Sequence, residues 1–203
     1  MKEMMHMTKI QKEVENMIAN RIRKYVNEIG FPELYYCTES QKIDYIQKMA
    51  LLINELLSGP NTEKKFENLA NKSIENGKNN KEKYQVFKML RNLLIHFPFF
   101  ENWDDIYVNE NLLNWNKSKG NQIKKFFKNN EGKELKYAIY MKRYDTWEKE
   151  VEINIKIPKI YKYKKVYLKD ILTIDEAMWT FCIIDYYLEQ IGYKLNYHCI
   201  VSA

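Results

Sequence analysis

The chain has few cysteines, few glycines and prolines, and very little arginine or histidine. Its 203 residues include three Cys, at 37, 182 and 199, with no CxxC pair. That argues against a disulfide-stapled scaffold and against a Cys/His zinc centre, and three reduced thiols are the plain reading. Six Gly and four Pro exclude a collagen-like or Gly-rich disordered chain. There is no Gly-rich phosphate loop, no GxSxG and no HExxH, so the familiar motifs for phosphate cradling, nucleophile elbows and zinc peptidases are missing. No apolar run approaches the ~20 residues that a bilayer span needs. The start, Met1-Lys2-Glu3-Met4-Met5-His6, leads into charged amphipathic sequence rather than an apolar signal core. A cytoplasmic protein without a membrane partner is the expectation.

What is present is an ordinary globular balance, 45% hydrophobic and 30% charged. The length suits one domain over 1–203 with a full core. The net charge of +6 favours a polyanionic partner, though weakly. Only four of the 33 basic residues are Arg, and Asn, Ile and Tyr are abundant, which matches an AT-rich coding composition as well as any binding role.

Apolar residues at helical spacing (Ile10, Val14, Met17, Ile18, Ile22, Val26) predict a helix over 8–29, ended by Gly30-Phe31-Pro32. A second helix is predicted from Ser40, read as its N-cap, to Leu57, burying Ile43, Ile46, Met49, Ala50, Ile53 and Leu57. Ser58-Gly59-Pro60-Asn61 breaks the chain, Thr62 caps a third helix to about Asn76, and Gly77–Asn80 is a polar hinge. A fourth helix runs from Lys81 to about Phe97, where Pro98 stops it. Residues 99–118 look irregular, anchored by Trp103, Tyr107 and Trp115, and Gln122–Lys128 reads as a short helix.

The period then changes. Leu135–Arg143 and Glu150–Ile157 predict an antiparallel hairpin, the second strand alternating through Val151, Ile153, Ile155 and Ile157. Ile160–Leu168 is a candidate third strand. A last helix is predicted from Thr173 or Asp175 to about Gln190, with Gly192 ending it. The predicted fold is mainly α: an antiparallel helical bundle with a β-hairpin or three-stranded insertion, about 134–168, before the last helix.

Chemistry concentrates in one place. Arg91-Asn92-Leu93-Leu94-Ile95-His96 lies inside the apolar run 87–100. Polar groups in such a run are costly unless paired or functional. Positions five apart on a helix diverge by about 140°, so Arg91 and His96 do not share a face of one regular helix. They would cooperate through a bent helix end or a composite, two-fold site. The negative end of the helix dipole favours the protonated form of His96. An imidazole for proton transfer and a guanidinium for a charged phosphorane suit RNA cleavage by the internal 2′-OH, which requires neither metal nor cofactor. Asn92 is placed to orient a neighbour. The competing reading is a satisfied core or capping His96, with Arg91 paired to Glu101, Asp104 or Asp105.

The pattern of Arg, a polar residue, three residues and His at the end of a bundle helix resembles the HEPN superfamily. The resemblance implies an all-α bundle that dimerises into a metal-independent endoribonuclease, with Arg91 and His96 catalytic and Asn92 in support. It implies RNA as substrate, and a toxin, abortive-infection or antiviral-defence role with an antitoxin or defence-complex partner. Members paired with a nucleotidyltransferase often carry Tyr two residues after the His; Pro98 stands there, which argues against that pairing.

Lys88, Lys124 and Lys125 are candidate RNA-binding residues on neighbouring helices, with Lys128 able to add to the same basic surface. In Tyr161-Lys162-Tyr163-Lys164-Lys165-Val166-Tyr167, a strand would put Tyr161, Tyr163, Lys165 and Tyr167 on one face able to stack bases and attract phosphates. A Lys-protected edge strand gives the same string. Glu101, Asp104 and Asp105 suit orientation of the Arg–His pair better than metal binding, and His198 beside Cys199 makes a poor metal pair. No metal site is expected. A non-catalytic helical module binding RNA or protein through the same surface is the alternative function.

Overall fold

Helix α1 spans Lys2–Ile29 and α2 spans Glu39–Leu57. The computed structural model describes residues 2–29, 36–58, 63, 64, 68, 80–97, 100–143, 147–159, 165–181 and 198–200. The cap of α2 is Thr38 rather than Ser40. Its hydroxyl accepts from the Gln41 backbone N–H while the Gln41 side chain accepts from the Thr38 N–H, a reciprocal box. The expected stripe of α2 is buried, joined by Tyr45 and Leu56.

α1 is a different case. Ala19 and Ile22 are buried against α2, and the Tyr25 ring stacks on Tyr45 at 5.8 Å. Ile10, Val14 and Met17, on the same helical spacing, are about half exposed. The periodicity there marks an apolar face that α2 does not reach.

Helix α3, Asn80–His96, is the centre of the fold. It packs on α2 and on the helix over Lys117–Asn130. From Tyr84 to Phe97 ten of fourteen positions are buried and the other four half-buried, and a helix so enclosed needs a largely apolar sequence. Phe87 meets Phe181 edge-on at 5.3 Å, tying α3 to the C-terminal helix. The Phe97 N–H still donates to Leu93 O at 3.0 Å, so the helical ladder is regular through its end. Pro98, the predicted stop, lies outside the described residues, as do most of the predicted helix 62–76 and the hinge 77–79; Glu63, Lys64 and Asn68 are helical.

The segment read as irregular contains short elements: a 3-10 turn at Trp103–Asp105, strand β1 at Tyr107–Val108, and helix α4 at Glu110–Leu113. Helix α5 runs Lys117–Asn130, one and a half turns longer at its start than expected. Asn116 caps it, accepting from Lys119 N–H. Gly120 permits this start, because a Cβ there would lie 1.8 Å from Leu113 O.

Strands β2 (Glu134–Arg143) and β3 (Trp147–Lys156) form the predicted hairpin in antiparallel register, Leu135 opposite Ile155 and Tyr137 opposite Ile153. Ile153, Ile155 and Ile157 are buried, as the alternation requires. Of the candidate third strand 160–168, residues 160–164 lie outside the described residues, and the described part is corrected. Val166–Tyr167 is β4, and it pairs with β1 rather than with the hairpin. The third strand of the hairpin sheet is β5, His198–Ile200, which pairs with β2 from the far end of the chain. Residues 174–181 form helix α6, capped by Thr173, whose hydroxyl accepts from the Glu176 N–H while the Glu176 carboxylate accepts from Thr173 N–H. The fold is mainly α, with small sheets. Among the described residues, no helix is long and apolar enough to cross a membrane.

Candidate functional site

The residues of interest project from α3 toward α5. Lys88, Asn92 and His96 are four apart on α3 and follow one gently drifting stripe, with Arg91 beside it. Lys119, Gln122, Lys125 and Phe126 come from α5.

Arg91 is 3% exposed and Asn92 is 1% exposed. Such burial demands partners. Asn92 Oδ1 accepts from Arg91 Nε at 3.2 Å and from Arg91 Nη2 at 2.8 Å. That fixes the carboxamide: its Nδ2 is left to donate, and it does so to Gln122 Oε1 at 3.0 Å. Arg91, Asn92 and Gln122 are therefore one polar chain crossing from α3 to α5.

The carboxylate near Arg91 is none of the three expected. Asp104 pairs with Lys169 at 3.2 Å, and Asp105 accepts from Asn102 at 3.1 Å. Glu63 takes that place instead, 2.7 Å from Lys88 Nζ and 4.0 Å from Arg91 Nη2. Burial opposes ionisation of Glu63, but the Lys88 hydrogen bond and charge, with the charges of Arg91 and Lys119, outweigh it and hold the carboxyl below its ordinary range. Burial also lowers Arg91 and Lys119 from their usual values, and the Arg91 charge depresses Lys119 further. Three cations thus act on one half-exposed carboxylate.

His96 is half-buried, and its Nε2 is closed to solvent with no hydrogen-bond partner among the described residues. Burial first, then the charges of Lys119 and Arg91, push its pKa below the ordinary histidine value. The sequence expectation of a dipole-favoured imidazolium is therefore reversed. Loss of solvation and two nearby cations outweigh the partial charge of a helix end. The shift favours the neutral imidazole. Arg91 and His96 lie on different sides of a regular helix, as the 140° argument requires, yet the Arg91 charge is felt at His96.

A cavity of about 400 Å³ opens next to this chain, between α3 and α5. It begins at Asn92 and Gln122 and extends along α3 to Tyr84. Lys88 and Lys125 line it. Lys124, one residue away, instead donates to Asn114 Oδ1 at 2.9 Å. Lys165 sits at the β1–β4 ribbon with its ammonium 4.4 Å from the Tyr107 ring centre, away from α3 and α5. Tyr161 and Tyr163 lie outside the described residues.

Three participants were not identified from sequence: Glu63, Lys119 and Gln122. A helix extended back to Lys117 would have put Lys119, Gln122 and Phe126 on one face. Nothing local points to Glu63. Among the described residues no group of three His, Cys, Asp or Glu could hold a metal ion. No family model, no curated protein and no solved structure matches the chain.

Proposed function

We propose that this protein is a metal-independent endoribonuclease of the HEPN type, acting in the cytoplasm as a toxin or phage-defence effector. The observation that carries the reading is the placement of His96, its Nε2 closed to solvent and without a partner among the described residues, within the field of Arg91 and Lys119. A neutral imidazole accepts a proton. In the proposed step His96 takes the 2′-OH proton, the 2′ oxygen attacks phosphorus, and the bond to the 5′ oxygen breaks. That leaving oxygen takes up a proton from water, and His96 returns its own proton to solvent. The products are a 2′,3′-cyclic phosphate and a 5′-OH. The cations stabilise the charge on the phosphorane, and Asn92 holds the Arg91 guanidinium. Glu63 occupies the anion position among these cations, so a substrate phosphate must replace it. A second copy of the chain would supply the other half of a two-fold cleft, and the exposed Ile10–Val14–Met17 face of α1 offers apolar surface for such contact.

The burial of Arg91 and its nearness to Glu63 favour a second reading. A guanidinium that is 3% exposed and 4.0 Å from a carboxylate also suits a structural role in a non-catalytic module that binds RNA or a protein. Incubation of the purified protein with total RNA in EDTA separates the two, alongside Arg91→Ala and His96→Ala variants shown to be folded by circular dichroism. Cleavage lost in both variants supports the enzyme. Cleavage that survives in both removes the mechanism. RNA bound but uncut by the wild type, with binding lost in Arg91→Ala, supports the module.

A further inference from the structure

Beyond Lys88 and Asn92, the cavity between α3 and α5 has a lining that the cleavage step does not use. Five carboxamides face it: Gln85, Asn92, Gln122, Asn129 and Asn130. Asn92 and Gln122 bond to each other, and Asn130 Nδ2 donates to Phe126 O at 2.9 Å, which leaves its carbonyl oxygen as an acceptor. The Gln85 and Asn129 side chains hydrogen-bond to no described residue. Two lysines, Lys88 and Lys125, stand at the same space, and Phe126, Met89 and Tyr84 give it an apolar wall. No carboxylate is among the described lining residues.

We infer that this cavity is a nucleotide subsite, which takes one unpaired base of a single-stranded RNA among the carboxamides and a phosphate against Lys125 and Lys88. Carboxamides carry a donor and an acceptor side by side, the complement of a base edge, and ammonium groups attract phosphate. The volume is of the size that encloses a small ligand. Position gives the subsite its purpose. The cavity starts at Asn92, one turn or about 6 Å from His96 along α3, and ends at Tyr84, about 18 Å away. A strand lying along α3 would place its scissile phosphate by His96 and an adjacent base in the cavity. The subsite would therefore choose the nucleotide flanking the cut. This assignment rests on the ribonuclease reading for its purpose, but nucleotide binding is measured without any cleavage.

The test is calorimetric titration of the full chain with the four 5′-ribonucleoside monophosphates. Ribose 5-phosphate and inorganic phosphate serve as base-free probes. At least one nucleotide is expected to bind about tenfold or more tighter than ribose 5-phosphate. Lys125→Ala and Asn129→Ala, both at exposed positions, should each weaken that binding about fivefold or more, and Lys124→Ala should stay within about twofold. Lys124 and Lys125 carry the same charge on the same helix, so only a built pocket separates them. An unstructured 2′-O-methyl oligoribonucleotide, which lacks the attacking hydroxyl, should compete for the site and bind more tightly than any mononucleotide. Binding no better than ribose 5-phosphate, or equal losses in Lys124→Ala and Lys125→Ala, overturns the subsite. A mononucleotide as tight as the oligomer overturns strand recognition in favour of a free nucleotide. Nucleotide binding without RNA cleavage would leave the subsite standing and remove the ribonuclease.

Discussion

Asn92→Ala should destabilise the protein far more than the loss of one small polar side chain suggests. Asn92 is buried, and its single Oδ1 satisfies both Nε and Nη2 of a guanidinium that has almost no solvent contact. Truncation leaves those two donors without their acceptor, and the Glu63 oxygen 4.0 Å away does not replace it. A hydrogen bond to a charged group contributes about 1.5–3 kcal/mol, and an uncompensated buried charge costs about 3–5 kcal/mol. The expected loss is about 2–4 kcal/mol, read as a lower urea midpoint at unchanged slope. The double variant Arg91→Met/Asn92→Ala removes charge and acceptor together. Its cost should fall short of the sum of the two single variants by about 1.5–3 kcal/mol, because the penalty of an orphaned guanidinium disappears. An Asn92→Ala cost below about 0.5 kcal/mol, or additive singles, would show that Asn92 does not hold Arg91.

Other outcomes follow from the same coordinates. Gly120→Ala would drive a methyl group into Leu113 O, 1.8 Å from the ideal Cβ position, and should cost about 2–4 kcal/mol by thermal or urea unfolding as α4 and α5 are forced apart. Gly132→Ala meets no atom within 4 Å but must adopt φ +72°, and should cost only about 1–2 kcal/mol. The folded-state pKa of His96 lies below the unfolded value near 6.5, so the unfolded chain binds the extra proton first. Stability should be intact above pH 6.5 and fall as the pH drops below it, and His96→Gln should flatten that slope; an unchanged slope would contradict a depressed histidine. Glu63→Gln removes the internal anion and should raise the affinity for inorganic phosphate by about twofold to tenfold in a titration at low salt; no change would mean the three cations do not form an anion site.

The local pattern was legible wherever one face of an element meets one layer. Ile43, Ile46, Met49, Ala50, Ile53 and Leu57 are buried because α2 has one packed face, and Ile153, Ile155 and Ile157 because β3 has one. Arg91, Asn92 and His96 drew notice for the same reason: polar groups within an apolar helix must have a purpose or a partner. What the sequence hid was tertiary. The spacing of Ile10, Val14 and Met17 is as regular as that of α2, yet whether a helix face is covered depends on the neighbour and not on the face. His198–Ile200 joins β2 across more than fifty intervening residues, and Val166–Tyr167 finds β1 instead of the nearer hairpin. Lys117–Gly120 reads as a polar loop until the close approach of Leu113 is known. Glu63, Lys119 and Gln122 carry no local mark of function, because their significance is only that α3 lies beside them.

The central claim is that Arg91 and His96 act on one phosphodiester through the 2′-OH. End-group analysis of RNA fragments made in EDTA tests it most directly. The account predicts 2′,3′-cyclic phosphate and 5′-OH termini from the wild type, and their loss in both Arg91→Ala and His96→Ala. Fragments with 5′-phosphate and 3′-OH ends, or cyclic phosphate ends that persist in both variants, would contradict it.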